Sequence, residues 1–471
     1  MIIFWLCFFI FFLILAIKRL DWALMLTIIL LPAYLVRFNI WGLPTTALEL
    51  MILISAGVWV AKNFKTAWAG ARLRLSGKAK NQRYPFDWEI VALLLISLLA
   101  VGISGFSNSA LGLWRAYFFE PILFYLIVIN VLGQSKDLGK IIWPLSVSAL
   151  GVSLIAWYQQ FIDLTFLNPI WSLQMRATSI FPYSNAVGLY LAPITLIILG
   201  WLLAKEASWR RGGQKAWLKI IYLLVVILAS WGAIFFARSE GALIGLVGAL
   251  AVMGFLAGKK SAIATMIILA ALGSLIYLTP TLKNYAWEKA NFRDLSGEIR
   301  KLQWRETGQM LAVNNRWLWG AGLAGYKTAV APWHQEGLFF NRDRDPDFKQ
   351  KTIDSADYRR THWQPVEVYL YPHNILLNAW SELGLLGMLL FVWLFVKFFY
   401  LGVRLLIQNS KFKIQNSKSK GFKYLILGLL GSVVVIIIHG FVDVPYFKND
   451  LAVLFWLIMA MLGLIKIWND K

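Results

Sequence analysis

Apolar runs of about twenty residues recur along this chain, near 1–17, 22–37, 44–61, 88–106, 112–132, 141–161, 186–204, 220–237, 241–258, 261–279, 374–396, 424–442 and 450–466. As a helix rising about 1.5 Å per residue, such a run crosses the roughly 30 Å hydrocarbon core of a bilayer. Composition agrees: 59% of the 471 residues are hydrophobic and 15% charged, with a mean hydropathy of +0.63, against about 45–50% and about 25% in an ordinary soluble domain. A soluble enzyme is excluded. The formal net charge of +22 does not point to nucleic acid either, because the basic residues sit in short clusters between apolar runs. The expected fold is all-α, a polytopic integral membrane helix bundle of about 12–13 transmembrane helices. Cys7, the one cysteine, lies inside the first run, which leaves no disulfide framework or cysteine zinc site. That first run lacks a basic stretch before it and a small-residue cleavage site after it, so it reads as a span rather than a signal peptide.

Lysine and arginine near span ends stay on the cytoplasmic side. Alternate loops of this chain collect 27 of them, in clusters beginning at Lys18, Lys62, Lys136, Lys205, Lys259, Lys397 and Lys466, against only Asp21, Asp137, Glu206 and Asp470. These loops are expected to face the cytoplasm. The long hydrophilic segment 280–372 then lies outside, where its 14 Lys and Arg nearly balance 11 Asp and Glu. The chain thus divides into N-terminal transmembrane helices (1–110), transmembrane helices with arginine motifs at their outer ends (111–279), an extracytoplasmic loop domain (280–372) and C-terminal transmembrane helices (373–471). Within the loop, 283–313 reads as amphipathic helix with Trp287 and Trp304 as interfacial anchors, and 340–362 as irregular. IQNSK occurs twice, at 407–411 and 414–418, and reads as tolerated padding in a polar loop.

Ionisable residues in or beside spans are costly and need a partner or a use. Arg115 and Glu120 are five apart and read as a structural pair. The outer ends also gather Arg176, Arg238, Arg300, Arg305, His373 and Asp443. A lone arginine there snorkels to headgroups, but several together form a cationic mouth. Guanidinium forks match phosphate oxygens and stay charged at any working pH, so the mouth suits a lipid-linked phosphate or diphosphate.

Four segments in order around the long loop, RATSIFPYSNAVGLYLAP, ARSEGALIGLVGAL, RKLQW followed by WGAGLAGY, and PHNILLNAWSELGLLG, resemble the O-antigen ligase and polymerase superfamily of polytopic glycosyltransferases. Ala237 replaces the small hydroxyl residue of the second motif, and the N-terminal 110 residues match only as hydrophobic spans. The resemblance implies transfer of a glycan from a polyprenyl diphosphate carrier to an acceptor hydroxyl on a glycolipid, glycan or protein, without a metal or cofactor. The site would lie at the outer face of a bacterial cytoplasmic membrane, in cell-surface polysaccharide biosynthesis. By motif, Arg238 and Arg300 hold the donor diphosphate with Arg176, His373 acts at the acceptor, and Asn185 and Asn374 support them. Arg305 is one turn beyond Arg300. Tyr326, with Trp317 and Trp319 near the glycine turn, is expected to meet sugar rings. A transporter or flippase for the same lipid-linked glycan is the alternative, since a cationic cavity serves either task.

The chemistry agrees with these roles. Expelling a diphosphate from an anomeric carbon needs fixed positive charge at the leaving group, and activating the attacking hydroxyl needs a group titrating near neutrality. His334 and His362 read as surface residues, and His439, inside a late span near Asp443, as a structural hydrogen-bonding group. Asp343, Asp345 and Asp347 alternate as in a calcium loop, but Phe348 stands where that loop needs glycine and Asp354 replaces its last glutamate. The segment reads as a solvated turn.

Overall fold

The computed structural model describes residues 2–40, 43–75, 84–168, 175–209, 213–411 and 417–470. Lys78, Lys80, Arg83, Arg210, Arg211, Lys413 and the start of the second IQNSK copy lie outside the described residues. The described chain is a helix bundle. Its first half comprises α1 (Ile2–Lys18), α2 (Leu20–Ile29), α3 (Ala47–Leu75), α4 (Asp87–Ile103), α5 (Asn108–Trp114), α6 (Glu120–Val131) and α7 (Gly139–Phe161). The helices α8 (Asn185–Trp209), α9 (Gln214–Phe236), α10 (Glu240–Ala257) and α11 (Lys259–Leu278) follow. Six short helices then form the hydrophilic segment between α11 and α18, expected above to lie outside and called the outer segment for that reason: α12 (Pro280–Ala290), α13 (Leu295–Leu311), α14 (Arg316–Trp319), α15 (Tyr326–Val330), α16 (Phe348–Asp354) and α17 (Ala356–His362). Three long helices close the chain, α18 (Ile375–Lys411), α19 (Ser417–Gly440) and α20 (Asn449–Asn469).

Among the described residues, nine helices are long and apolar enough to cross a membrane, the first of them running from α5 through α6. The 22–37 run departs from expectation. Its helix stops at Ile29, Pro32 sits in a 3-10 turn, and the chain returns as an antiparallel hairpin of β1 (Arg37–Ile40) and β2 (Leu43–Thr46). Proline lacks the donor a continuing helix needs, and at about 15 Å the 10-residue α2 is too short to cross. The segment 340–362 is also more ordered than expected. Ser355 accepts a hydrogen bond from the Tyr358 amide to start α17, while Asp345 takes bonds from Lys351 and Tyr358, both at 2.8 Å. A second small ladder, β3 (Gly337–Phe339) with β4 (Trp363–Pro365), closes this subdomain.

Lipid offers no hydrophobic drive between helices, so close approach of backbones has to supply it. Position 200 in α8 lies directly over position 428 in α19. A Cβ at Gly200 would fall 2.6 Å from the Tyr424 carbonyl oxygen and 2.9 Å from the Gly428 Cα. Helix α20 is buried from Asn449 to Ile465 and forms the bundle centre, whereas no residue of α11 is buried.

Arg115 bridges the N-terminal helices. Its guanidinium lies 3.2 Å from Glu120, bonds Glu49 at 2.7 Å and reaches the Pro44 carbonyl at 2.7 Å. Glu49 in turn accepts from Asn449 at the head of α20. The expected structural pair is therefore part of a wider network. Around it α5 passes into α6 through a π-helical turn, Arg115–Phe119, an irregularity that re-aims the side chains of one turn.

The outer segment is clamped to the bundle by backbone contact. At Gly384 the helix α18 kinks, with φ +76°, and the turn after α14 enters that kink: the Ala321 amide donates to the Ser381 carbonyl at 2.6 Å. A Cβ on Gly384 would strike the Leu318 carbonyl, and one on Gly320 would lie 2.8 Å from both the Gly384 nitrogen and the Ser381 oxygen. Two of the motif segments thus meet as one joint.

Substitution of Gly200 or Gly428 by alanine should cost about 1–3 kcal/mol through overpacking. Gly151→Ala, where a Cβ meets nothing within 4 Å, should be close to neutral. Thermal unfolding of the three variants in one detergent checks the contrast.

Candidate functional site

One end each of α8, α10, α13, α18 and α19 converges on one tight turn, Phe441–Asp443, between α19 and α20. Asn374 donates to the Phe441 carbonyl at 3.2 Å, Arg300 Nε to the Val442 carbonyl at 3.0 Å, and Asn185 Nδ2 to Asp443 Oδ2 at 3.3 Å. The other Asp443 oxygen accepts the Val444 amide at 2.9 Å. Burial raises the Asp443 carboxyl above its ordinary value, against the pull of the Val444 amide, Arg300 and Asn185.

Arg176 precedes α8 and reaches across to the α9–α10 junction. Its Nε donates to the Ala237 carbonyl at 3.0 Å and its Nη2 to Asn185 Oδ1 at 2.8 Å and to the Arg238 carbonyl at 3.3 Å. Burial lowers its pKa, opposed by Glu240, and Arg238 and Arg300 lower it further. Arg238 and Arg300 are therefore each near enough to repel Arg176. Arg238 itself is exposed, and neither it nor Arg300 forms an ion pair with a described residue. Glu240 beside them is taken by Lys289 at 2.7 Å and Tyr285 at 2.5 Å, which docks α12 on the head of α10.

His373 stands just before α18. Its Nδ1 lies 3.0 Å from Gln303 Oε1, so Nδ1 carries the proton and Nε2 is the basic nitrogen. Arg300 and Gln303 are three residues apart on α13 and share one face. Burial, then the Arg300 charge, hold His373 down at about 4 against an ordinary 6.5. Tyr369 and Tyr371 flank the imidazole, with ring centroids at 5.1 and 4.8 Å. Arg238 and His373 both adopt left-handed backbone, φ +49° and +45°. That conformation costs a non-glycine residue roughly 1–2 kcal/mol and persists where surrounding structure over-determines it.

The other sequence candidates separate. Asn374 Oδ1 accepts the amides of Leu376 and Leu377, both at 3.0 Å, and so caps α18. Arg305 is on the exposed face of α13 with no polar partner among the described residues, because five residues turn a helix about 140° from Arg300. Tyr326 is 2% exposed, its hydroxyl against Thr307 at 2.9 Å within a small core of Met310, Leu311 and Val330. It faces the inside of the outer segment, while Trp317 and Trp319 are exposed. Trp304 donates to the Pro372 carbonyl at 2.9 Å and ties α13 to the His373 loop.

Three histidine expectations also change. His334 is packed between Glu306 and the Val366 carbonyl, and His362 between Asp343 and a stacked Tyr358 ring; neither is a surface residue. Each ring has a short apolar flank and a polar edge, which the outer segment uses as internal packing. The His439 imidazole is buried but makes no hydrogen bond to a described residue; it packs at Gly241, where a Cβ would lie 2.5 Å from its ring. Among the described residues no group of three His, Cys, Asp or Glu is placed to hold a metal ion.

Sequence reasoning named Asp443 only as an outer-face charge and missed Gln303, Tyr369 and Tyr371. Gln303 lies within the RKLQW segment one turn after Arg300, and that spacing was its available signal. Nothing local marks the backbone carbonyls of Phe441 and Val442.

No match to a curated protein is found for the chain. Residues 223–392 match the family model described as O-antigen ligase, a stretch from α9 into α18 that contains Arg238, Arg300, His373 and Asn374 but not Arg176, Asn185 or Asp443. Over residues 223–392 this chain carries a domain of the O-antigen ligase superfamily.

Proposed function

We propose that this chain is a metal-independent membrane glycosyltransferase of O-antigen ligase or polymerase type, moving a glycan from a polyprenyl diphosphate carrier to an acceptor hydroxyl in cell-surface polysaccharide synthesis. The observation that carries the reading is the convergence of Arg176, Arg238 and Arg300 beside a neutral, half-buried His373. Two of these guanidiniums, Arg238 and Arg300, lack a carboxylate partner among the described residues. A donor-only cluster fits diphosphate oxygens, which accept hydrogen bonds and donate none.

In this reading the arginines hold the leaving diphosphate and stabilise the charge that grows on it as the anomeric C–O bond breaks. His373 Nε2 accepts the proton of the attacking hydroxyl as the new glycosidic bond forms. Gln303 fixes the tautomer, and burial, aided by the Arg300 charge, keeps the ring neutral. Asn185, Asn374 and Asp443 position these groups through the Phe441–Asp443 turn. Arg305 and Tyr326 belong to the rim and the core of the outer segment. The acceptor is a glycolipid, a glycan or a protein, and the site faces the outside of a bacterial cytoplasmic membrane, with the lysine-rich loops inside.

Arg238→Lys and Arg300→Lys should each weaken binding of lipid-linked donor by about ten- to a hundredfold, because a point charge does not reproduce two charge-assisted bonds worth roughly 1.5–3 kcal/mol each. His373→Ala should bind donor nearly as wild type while transfer falls by roughly 10² to 10⁴. Purified wild type that binds donor but forms no product with any acceptor offered would overturn the enzyme reading.

The pH dependence follows from the sign of the His373 shift. The neutral ring is the active base, so transfer should persist well below pH 6.5 and fall as pH drops towards about 4. Removing the Arg300 charge stabilises the imidazolium, so Arg300→Gln should move the midpoint upward. Imidazole NMR titration of the two proteins, assigned with His373→Gln, reads this independently of turnover.

In intact cells a cysteine at Asp347 should react with an impermeant thiol reagent and one at Lys136 should not, in a Cys7→Ser background. The same preparations should retain transfer in a chelator; loss restored by a divalent cation would return Asp343, Asp345 and Asp347 to the mechanism.

A further inference from the structure

A groove of about 500 Å³ runs between α1 and α3, lined by Leu13 and Ile17 on one helix and Ile54, Gly57 and Ala61 on the other, with Lys62 at one end. Its α3 residues recur at three- and four-residue spacing, so they form one face of that helix. Position 57 opens onto the groove: a Cβ there would meet nothing within 4 Å. Around it α1 presents exposed Leu6, Ile10, Ile14 and Ile17, a lipid-facing surface.

The charged end is built. Lys62 Nζ donates to the carbonyls of Ala16 and Ile17, the last turn of α1, which holds its charge beside exposed Lys18 and Arg19. An ammonium has three donors, and two carbonyls leave one free to turn outward. Arg19 is partly neutralised by Asp21 at 3.2 Å, but Lys18 has no ion pair with a described residue. Lys62 also follows Glu49 by thirteen residues along α3, about 20 Å of helix. Because Glu49 is bonded to Asn449 at the outer end of α20, the groove's basic end is remote from the arginine cluster.

We propose that this groove is a binding site for one anionic phospholipid, an acyl chain lying along Gly57 and the headgroup phosphate held by Lys62 and Lys18. The assignment is independent of the transfer reaction. An apolar trough with Lys62 at one end and exposed Lys18 on the last turn of α1 matches one acyl chain and the phosphate of a phospholipid, and a net anionic headgroup is favoured because a zwitterionic one brings its own cation against these lysines. A polyprenyl diphosphate would have to bring its head to the end of the bundle away from Arg176, Arg238 and Arg300.

Native mass spectrometry of the purified full chain, titrated with phosphatidylglycerol or phosphatidylcholine of matched acyl chains, tests this. Wild type should retain one phosphatidylglycerol with about fivefold or greater preference per contributing cation. Gly57→Leu should lower retention of both lipids about tenfold, the affinity carried by roughly two buried methylenes. Ala61→Leu is a second filling variant with the same expected result. Lys62→Gln, or Lys18→Gln, should reduce the preference while leaving phosphatidylcholine retention unchanged. Equal retention by wild type and both filled variants would overturn the site, and so would equal affinity for the two lipids. Displacement of phosphatidylglycerol by an equimolar polyprenyl diphosphate would assign the groove to the carrier's tail and overturn the phospholipid.

Discussion

Three side chains from three helical segments end on one turn: Asn374 on the Phe441 carbonyl, Arg300 on the Val442 carbonyl and Asn185 on the Asp443 carboxylate. The rest of the candidate site hangs from these bonds. Asn185 also holds Arg176 at 2.8 Å, and Arg176 holds the carbonyls at the Arg238 junction. The turn therefore brings like charges together that would otherwise separate. Mutual repulsion among guanidiniums in a partly desolvated place has to be offset by neutral acceptors, and backbone carbonyls serve this without neutralising the charge as a carboxylate would.

Holding that turn in place is a packing problem, because it joins α19 to α20. Helix α19 lies against α8 with glycine over glycine, and α20 is buried along almost its whole length. The outer segment is located by a similar device, the Gly320 turn inside the Gly384 kink, with Trp304 bonded to the Pro372 carbonyl beside His373. In both places backbone meets backbone at distances that exclude a Cβ. Arg238 and His373, both left-handed, lie in parts of the chain that other elements hold, through Arg176 on the Arg238 carbonyl and Trp304 on the Pro372 carbonyl.

Much of the bundle was legible, for a plain reason. In a bilayer every backbone donor and acceptor must be paired within its own segment, so apolar length alone implies helix. The 22–37 run shows the limit: its hydropathy suggests a span, but the helix ends at Ile29 and a 3-10 turn holding Pro32 leads into the antiparallel pair of β1 and β2. Residue types named the chemistry of Arg176, Arg238, Arg300 and His373, since few side chains stay cationic or accept a proton at such a place. They did not reveal which arginine turns inward. Arg305 is as conspicuous in the sequence as Arg300, yet the 100° step of a helix sends it to the opposite face. Tyr326 is likewise a plausible sugar platform by type and a core residue by position.

By itself, then, the sequence determined the class of fold and the chemical inventory of the outer mouth, because both follow from what lipid and water tolerate one residue at a time. Tertiary structure alone decided which groups face one another: that Gln303 sets the His373 tautomer, that Asn374 caps a helix, that His334 and His362 are internal, and that two carbonyls and one carboxylate of a short turn gather Asn374, Arg300 and Asn185. These relations join residues as far apart as 185 and 443, and a backbone carbonyl is the same group at every position. No local pattern records which carbonyl an arginine will reach; only the packing of α8, α13, α18 and α19 around the Phe441–Asp443 turn does.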